Sequence, residues 1–323
     1  MPEIVDKPGE EIGSEALFTV TAGEGDGFML GVAAGDSAGG AWNLGYSAIT
    51  EQAVVLAYGL ITRQRFDRDE LVRSLLEMDG IDEEEPVFRS ETLEFRGWLD
   101  RARSGAPVPG TEPSLDASYR AVVLGVAHRR SPEILIEECV ALGRLFHDDD
   151  PTVLAGVMAG AAVAASCYAQ SGMDLIAGVA ETTSQALDVM GASRTLETMP
   201  DLVRSMMGNV GITDGEEALE AAGGEDPVRK VLAGILLAAP VAPRHHVAIE
   251  QAARIGGSSL GALVGGIVGA RVGIRAWPWA FANDTWFAEI GRRVVRGPAE
   301  VADLPIPYAV EQHLMSGGRP GFH

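Results

Sequence analysis

From Phe28 onward, apolar residues recur at three- and four-residue spacing, and no stretch of strand length alternates apolar with polar. That period predicts α-helices almost throughout and an all-α domain. The predicted helices are Gly27 to Ala38, Ser47 to Arg63, Asp67 to Glu77, Ser90 to Ala102, Ser114 to Arg129, Pro132 to Leu145, Pro151 to Ser171 and Met173 to Met190. They continue with Thr195 to Met207, Gly215 to Ala222, Pro227 to Ala239, His246 to Ile255, Ser258 to Val272 and Asp284 to Arg296. The stops are marked chemically. Gly105 to Gly110 is a proline- and glycine-bearing loop, Asp148 to Pro151 reads as a cap followed by a first-turn proline, and Trp277-Pro278 ends an apolar run.

Glycine changes this picture most. Gly257, Gly261, Gly265, Gly269 and Gly273 recur every fourth position, so on one helix they form a ridge without side chains. Each interior glycine costs a helix roughly 1 kcal/mol relative to alanine, so such a ridge implies another backbone packed directly on it. Gly31, Gly35 and Gly39 repeat the spacing, which predicts that the first helix is that partner. At the ridge's start, Gly256-Gly257-Ser258-Ser259 offers backbone N–H groups and two hydroxyls, suited to an anion or polar ligand or simply to capping a core helix.

The chain has 323 residues and a net charge of −21, enough length for one large domain, read here as residues 28–323 after an acidic, flexible tail over 1–27. The acidity argues against nucleic-acid and anionic-membrane partners, which need clustered Lys and Arg. Met1 to Gly27 lacks the basic start and apolar run of a secretory signal. The apolar stretches Pro151 to Ala169 and Leu260 to Ala270 are rich in Ala and Gly, and the second is too short to span a bilayer. Cys139 and Cys167 both fall in apolar helical patterns, so buried reduced thiols and a cytoplasmic location are expected.

Candidate chemistry is sparse. His147 with Asp148, Asp149 and Asp150 is the densest titratable cluster, readable as a helix cap or as acid/base or cation-binding groups. His245-His246 reads as a loop before a helix, and adjacent helical histidines point apart, making poor joint ligands. Asp82 to Glu85 reads as a solvated charge run. Trp277, Trp279, Phe281 and Trp286 read as core packing, with a partner surface or base-stacking wall as the alternative. No Ser-His-Asp, Cys-His or phosphate-loop signature is present.

Five stretches in order resemble the ADP-ribosylglycohydrolase superfamily. Gly31-Val-Ala-Ala-Gly-Asp36-Ser-Ala-Gly39 is similar to its opening G-x-x-x-G-D-A-x-G, and Ser47-Ala-Ile-Thr50-Glu51 stands at its T-D-D-T. Trp98 matches a mid-chain tryptophan, Ala117-Ser-Tyr-Arg120 to Gly125 resembles A-A-M-R-x-x-P-L-G, and Leu145 to Pro151 resembles T-H-x-D-P. Gly256-Gly-Ser258-Ser259, with Gly265 and Gly269 to Gly273, stands at the closing D-x-D-T and its glycine tail. The resemblance implies a compact single-domain orthogonal helical bundle. It also implies that the T-D-D-T and D-x-D-T acids would hold a magnesium pair, and that Asp36 supports the site from inside.

The departures fall on the acids. Ala48 and Ile49 replace the first pair, and Gly256 and Ser258 the second. Magnesium needs hard, mostly anionic oxygen ligands, so no metal and no other cofactor are expected. Ser47, Thr50, His147, Asp148, Gly257, Ser258 and Ser259 are then the candidate ligand-binding residues, and Asp36, Glu51 and Asp149 the candidate catalytic ones. Glu51, the nearest surviving acid, reads otherwise as a solvent-facing or capping glutamate. Three readings follow: a binding protein for ADP-ribose, a nucleotide or a related molecule; a hydrolase with a metal-independent or relocated-metal mechanism; or a structural protein with a filled pocket and a protein partner.

Overall fold

The structure, a computed structural model, describes residues 25–39, 45–80, 88–105, 107–191, 196–240, 245–273, 283–307 and 309–310. Among them the chain forms α1 (Phe28–Gly39), α2 (Ala48–Arg63), α3 (Arg68–Asp79), α4 (Leu93–Arg103), α5 (Asp116–Ala127), α6 (Pro132–Phe146) and α7 (Asp150–Ser166). There follow α8 (Gly172–Met190), α9 (Met199–Ser205) with a 3-10 turn (Met206–Asn209), α10 (Gly215–Ala222), α11 (Pro227–Ala238), α12 (His245–Val272) and α13 (Asp284–Arg296). No strand forms among the described residues, so the fold is all-α. Several starts are fixed by side-chain caps worth ~1 kcal/mol each. Asp67, Thr92, Asp149, Asp214 and Asp226 accept first-turn N–H groups, and Ser171 with Asp174 closes a reciprocal capping box.

At the centre, α1 lies antiparallel against the second half of α12. A β-carbon built on Gly31 would overlap the carbonyl of Gly265, one on Gly35 that of Gly261, and one on Gly269 that of Gly27. The two glycine faces therefore meet backbone to backbone, in the pairing their shared spacing predicts. Helix α7, built of Ala, Gly, Val, Leu and Met, is buried on nearly every side, which is why its sequence shows no polar face.

Two details differ from the sequence reading. Gly257 is not part of a continuous ridge. Its φ of 63° and ψ of −160° break α12, and a β-carbon on Gly261 would sit 3.3 Å from that of Ala253, so the two halves double back on each other. Gly273, at φ 72°, lies past the helix end. The ridge proper is Gly261, Gly265 and Gly269. Secondly, the packed region begins before Phe28: Gly25 and Gly27 are buried, and a β-carbon on Gly25 would lie 3.1 Å from Val126 and 3.2 Å from Cys167 Sγ.

Helix α12 is the one helix among the described residues long and apolar enough, by length and composition, to cross a membrane. Bent at Gly257, its arms reach only about 18 and 22 Å at 1.5 Å per residue, short of the ~30 Å hydrocarbon core. Most of its apolar surface is covered by the rest of the fold. Cys139 and Cys167 are free and buried; burial pushes the Cys167 thiol up to about 12 and that of Cys139 higher still.

Candidate functional site

The glycine contact brings the end of α1, the start of α2 and the start of α12's second half together, and Asp36 is their common acceptor. Asp36 is buried; its Oδ2 accepts from Ser47 N at 2.7 Å, Thr50 Oγ1 at 2.7 Å and Thr50 N at 3.2 Å, and its Oδ1 from Ser47 Oγ at 2.7 Å. The carboxylate thus caps α2 from outside, where the positive end of the helix favours it. Burial raises its pKa, and the Ser47 and Thr50 donors pull it back down. On the other side Ser258 Oγ donates to the Asp36 carbonyl at 2.9 Å, satisfying an acceptor in α1's last turn.

A second polar seam lies beside the first, between α2, α4, α5 and α7. The Arg120 guanidinium, buried, stacks 3.9 Å over the Phe146 ring. Its Nε donates to Gln52 Oε1 at 3.0 Å, Nη1 lies 3.4 Å from His147 Nε2 and Nη2 3.9 Å from Asp116 Oδ2. Tyr119 Oη donates to the same Gln52 oxygen at 3.2 Å. Asp116 in turn accepts from Ser259 Oγ at 3.0 Å and Thr92 Oγ1 at 3.3 Å. His147 Nδ1 sits 3.0 Å from Glu94 Oε1 but out of hydrogen-bond alignment. Burial raises the Glu94 pKa, but His147, Ser114 and Arg120 outweigh it and hold the carboxyl below its usual range.

The structure separates the predicted residues into these seams. Ser47, Thr50, Ser258 and Ser259 each have their hydroxyl hydrogen-bonded to Asp36 or Asp116. Glu51 is neither solvent-facing nor a cap. It is fully buried, its Oε2 accepting from Arg89 N at 3.0 Å and Oε1 from Arg89 Nε at 3.1 Å, while Arg89 stacks 4.2 Å over Tyr46. The cause is the Arg89 carbonyl, which accepts from Ala48 N at 2.6 Å and so draws the 88–90 turn over the start of α2.

The acidic turn serves the backbone. Asp149 Oδ1 caps α7 by accepting from Thr152 N at 2.8 Å, Asp150 pairs with Arg144, and Asp148 is exposed. Asp148 N donates to the Gly110 carbonyl at 2.9 Å, and Gly110 N to Phe146 O at 2.7 Å, which ties the loop after α4 to this turn. Of the aromatic cluster, Trp286 is buried and donates to Tyr58 Oη at 3.0 Å. Trp277, Trp279, Phe281 and the run Asp82 to Glu85 lie outside the described residues, as does the 40–44 segment.

Arg89, Glu94, Asp116, Gln52 and Arg120 are polar members that the sequence did not single out. Two of them had a signal: Asp116 directly precedes, and Arg120 ends, the Ala117-Ser-Tyr-Arg120 stretch.

These residues do not suit a divalent cation. Ala48 and Ile49 are buried alkyl groups with no ligand atom, and neutral hydroxyls beside them do not replace anionic oxygens. Among the described residues no three His, Cys, Asp or Glu side chains converge as a metal centre requires. Three hollows described elsewhere, of about 560, 410 and 20 Å³, lie along α3, between α8 and α9, and between α2 and α3.

The order of elements and the Asp36 seam can be set beside known proteins. The family model for ADP-ribosylglycohydrolase matches residues 25–303. The chain belongs to the ADP-ribosylglycohydrolase family. A solved structure described as "ADP-ribosylglycohydrolase-related protein complex" is similar over 85% of this chain and 98% of that one, at 19% identity and a TM-score of 0.60. At that identity the likeness establishes the ADP-ribosylglycohydrolase fold and not an activity. No curated protein matches the chain.

Proposed function

We propose that this ADP-ribosylglycohydrolase-family protein does not carry out metal-dependent glycosidic hydrolysis, and that it acts by recognition, with a filled interior. One observation carries the reading: Ala48 and Ile49 are buried alkyl side chains at the start of α2, and the carboxylate beside them, Asp36, is held by Ser47 and Thr50 donors. An ion pair contributes several kcal/mol to stabilising developing charge, and each 1.36 kcal/mol is about tenfold in rate. The absence of acids at Ala48, Ile49, Gly256 and Ser258 removes the means to hold such a pair. The buried Tyr46 and Ile49 support a filled interior, and the buried thiols accord with a reducing, cytoplasmic setting.

A second reading rests on Gly257 and Ser258. Gly257 is exposed and Ser258 half-buried at a helix start, a place where ADP-ribose or a nucleotide could bind without magnesium. The hydrolase reading is weaker, because Asp36, Glu51 and Asp149 are each held by protein donors. The test is release of ADP-ribose from modified arginine and serine substrates, with and without magnesium, run beside thermal shifts with ADP-ribose. No turnover is expected. Turnover abolished by Asp36→Asn or Glu51→Gln would establish the hydrolase instead, and a saturable shift with ADP-ribose would select the small-molecule reading.

A further inference from the structure

The far end of α12's second half, ~20 Å from Gly257 at 1.5 Å per residue, holds a buried charge that the polar seams do not use. Arg271 is 4% exposed. Its Nη1 donates to the Ala239 carbonyl at 2.8 Å and reaches that of Ala238 at 3.5 Å, while Nε and Nη2 have no partner. The unpartnered pair is one edge of the guanidinium, two parallel N–H donors in the geometry that grips two oxygens of an oxyanion. Leaving such donors buried and unpaired costs about 1–3 kcal/mol or more for a charged group, so the arrangement is explained if something else fills the edge.

Four helix ends meet there. Nη1 anchors Arg271 to the end of α11; the start of α8 abuts the same place, since a β-carbon on Gly172 would lie 2.6 Å from Ala239 O. The bend at Gly257 turns α12's first half back beside its second, Ala253 against Gly261, and His245, at its first turn, lies within electrostatic reach of Arg271. Arg271 and His246 both lower the pKa of His245, after burial, and Asp174 is the acid whose charge reaches Arg271. Asp174 is itself held in the α8 capping box, its Oδ2 accepting from Ser171 Oγ at 2.8 Å and Ser171 N at 2.9 Å. The flanking segments 241–244 and 274–282 contain no Asp or Glu, so neither can supply a carboxylate.

We propose that Arg271, His245 and the first turn of α12 form a binding site for a phosphate group, inorganic or carried on a small molecule. A carboxylate gripped by the two guanidinium donors turns both its oxygens towards them and has no third oxygen to aim elsewhere. A tetrahedral phosphate keeps further oxygens for the imidazole and the helix-start N–H groups, and its charge suits the buried Arg271 cation.

The test is calorimetry and thermal denaturation of the full chain with sodium phosphate, against acetate and chloride at matched ionic strength. Phosphate should raise Tm saturably and acetate should not. Arg271→Lys, which keeps the charge but loses the fork, should weaken phosphate about tenfold or more, and His245→Asn should weaken it severalfold. Arg271→Met should abolish the response while leaving Tm without phosphate equal to or above that of the parent, because an unpaired buried cation has been removed. The site is disproved by no saturable phosphate effect, by an equal effect of acetate, or by a response unchanged in Arg271→Lys and His245→Asn.

Discussion

The two ends of α12's second half handle polarity in opposite ways. At the start, Ser258 and Ser259 give their hydroxyls to the Asp36 carbonyl and the Asp116 carboxylate, and the adjoining Thr50 and Ser47 close on the Asp36 carboxylate. At the finish, Arg271 is just as buried but keeps two nitrogens without a partner. Between them runs the glycine ridge, which has no side chain to offer either. A fold can therefore close the place where family resemblance directs attention and leave buried donors unpaired about four turns of helix away.

The ridge is where substitution should do most. Gly31→Val or Gly265→Val places carbon where the facing helix has a carbonyl, and relief requires the two central helices to part. The expected loss is about 3 kcal/mol or beyond, read by urea denaturation or as failure to accumulate folded protein. A loss under 1 kcal/mol would mean that the two backbones are not in contact.

Next comes the closed end. Asp36→Ala leaves Ser47 and Thr50 donors buried without an acceptor and should cost about 2–3 kcal/mol, measured by the same denaturation. An effect near zero would show that water or a ligand reaches this seam, which would favour the small-molecule reading over the filled interior.

Smaller still is the Glu94 contribution, since its side chain is 30% exposed. Its folded pKa lies below the unfolded one, so the stabilisation is fully present above the unfolded carboxylate value and is lost as pH falls through the folded value. Glu94→Gln should flatten that acid limb of the stability curve while costing only about 0.5–1 kcal/mol at neutral pH. An unchanged acid limb would mean that the His147 and Arg120 contacts do not hold the carboxylate. The least perturbing probe is a thiol reagent. Cys139 and Cys167 should resist it at pH 8 in the folded state and react promptly in denaturant; modification of either in the native protein would mean that the core opens there.

What could be read from the chain follows from how local each signal is. The α1–α12 pairing was legible because interior glycines are costly and both runs share one spacing. The α7 start was legible because Asp149, Asp150 and Pro151 state it within three residues. The break at Gly257 was legible as the gap between the predicted helices His246 to Ile255 and Ser258 to Val272, but the reversal was not, because a glycine between two helical patterns does not say which way the second one runs. The burial of Glu51 was not, because its partner Arg89 is 38 positions away. The Gln52–Arg120 contact spans 68 positions, and although Arg120 stood in a family-like stretch nothing marked Gln52 as its partner. Arg271 sat in plain view within the glycine tail, but an arginine at a helix end is ordinarily a solvated charge. Only the packing of four helix ends around it shows otherwise.

The central claim is that the helix starts at Ala48 and Ser258 no longer hold divalent cations. Calorimetric titration of the full chain with magnesium, repeated with manganese, tests it most directly. The account predicts heats of dilution alone through the millimolar range. Saturable binding at micromolar affinity that is lost in Asp36→Asn would contradict it.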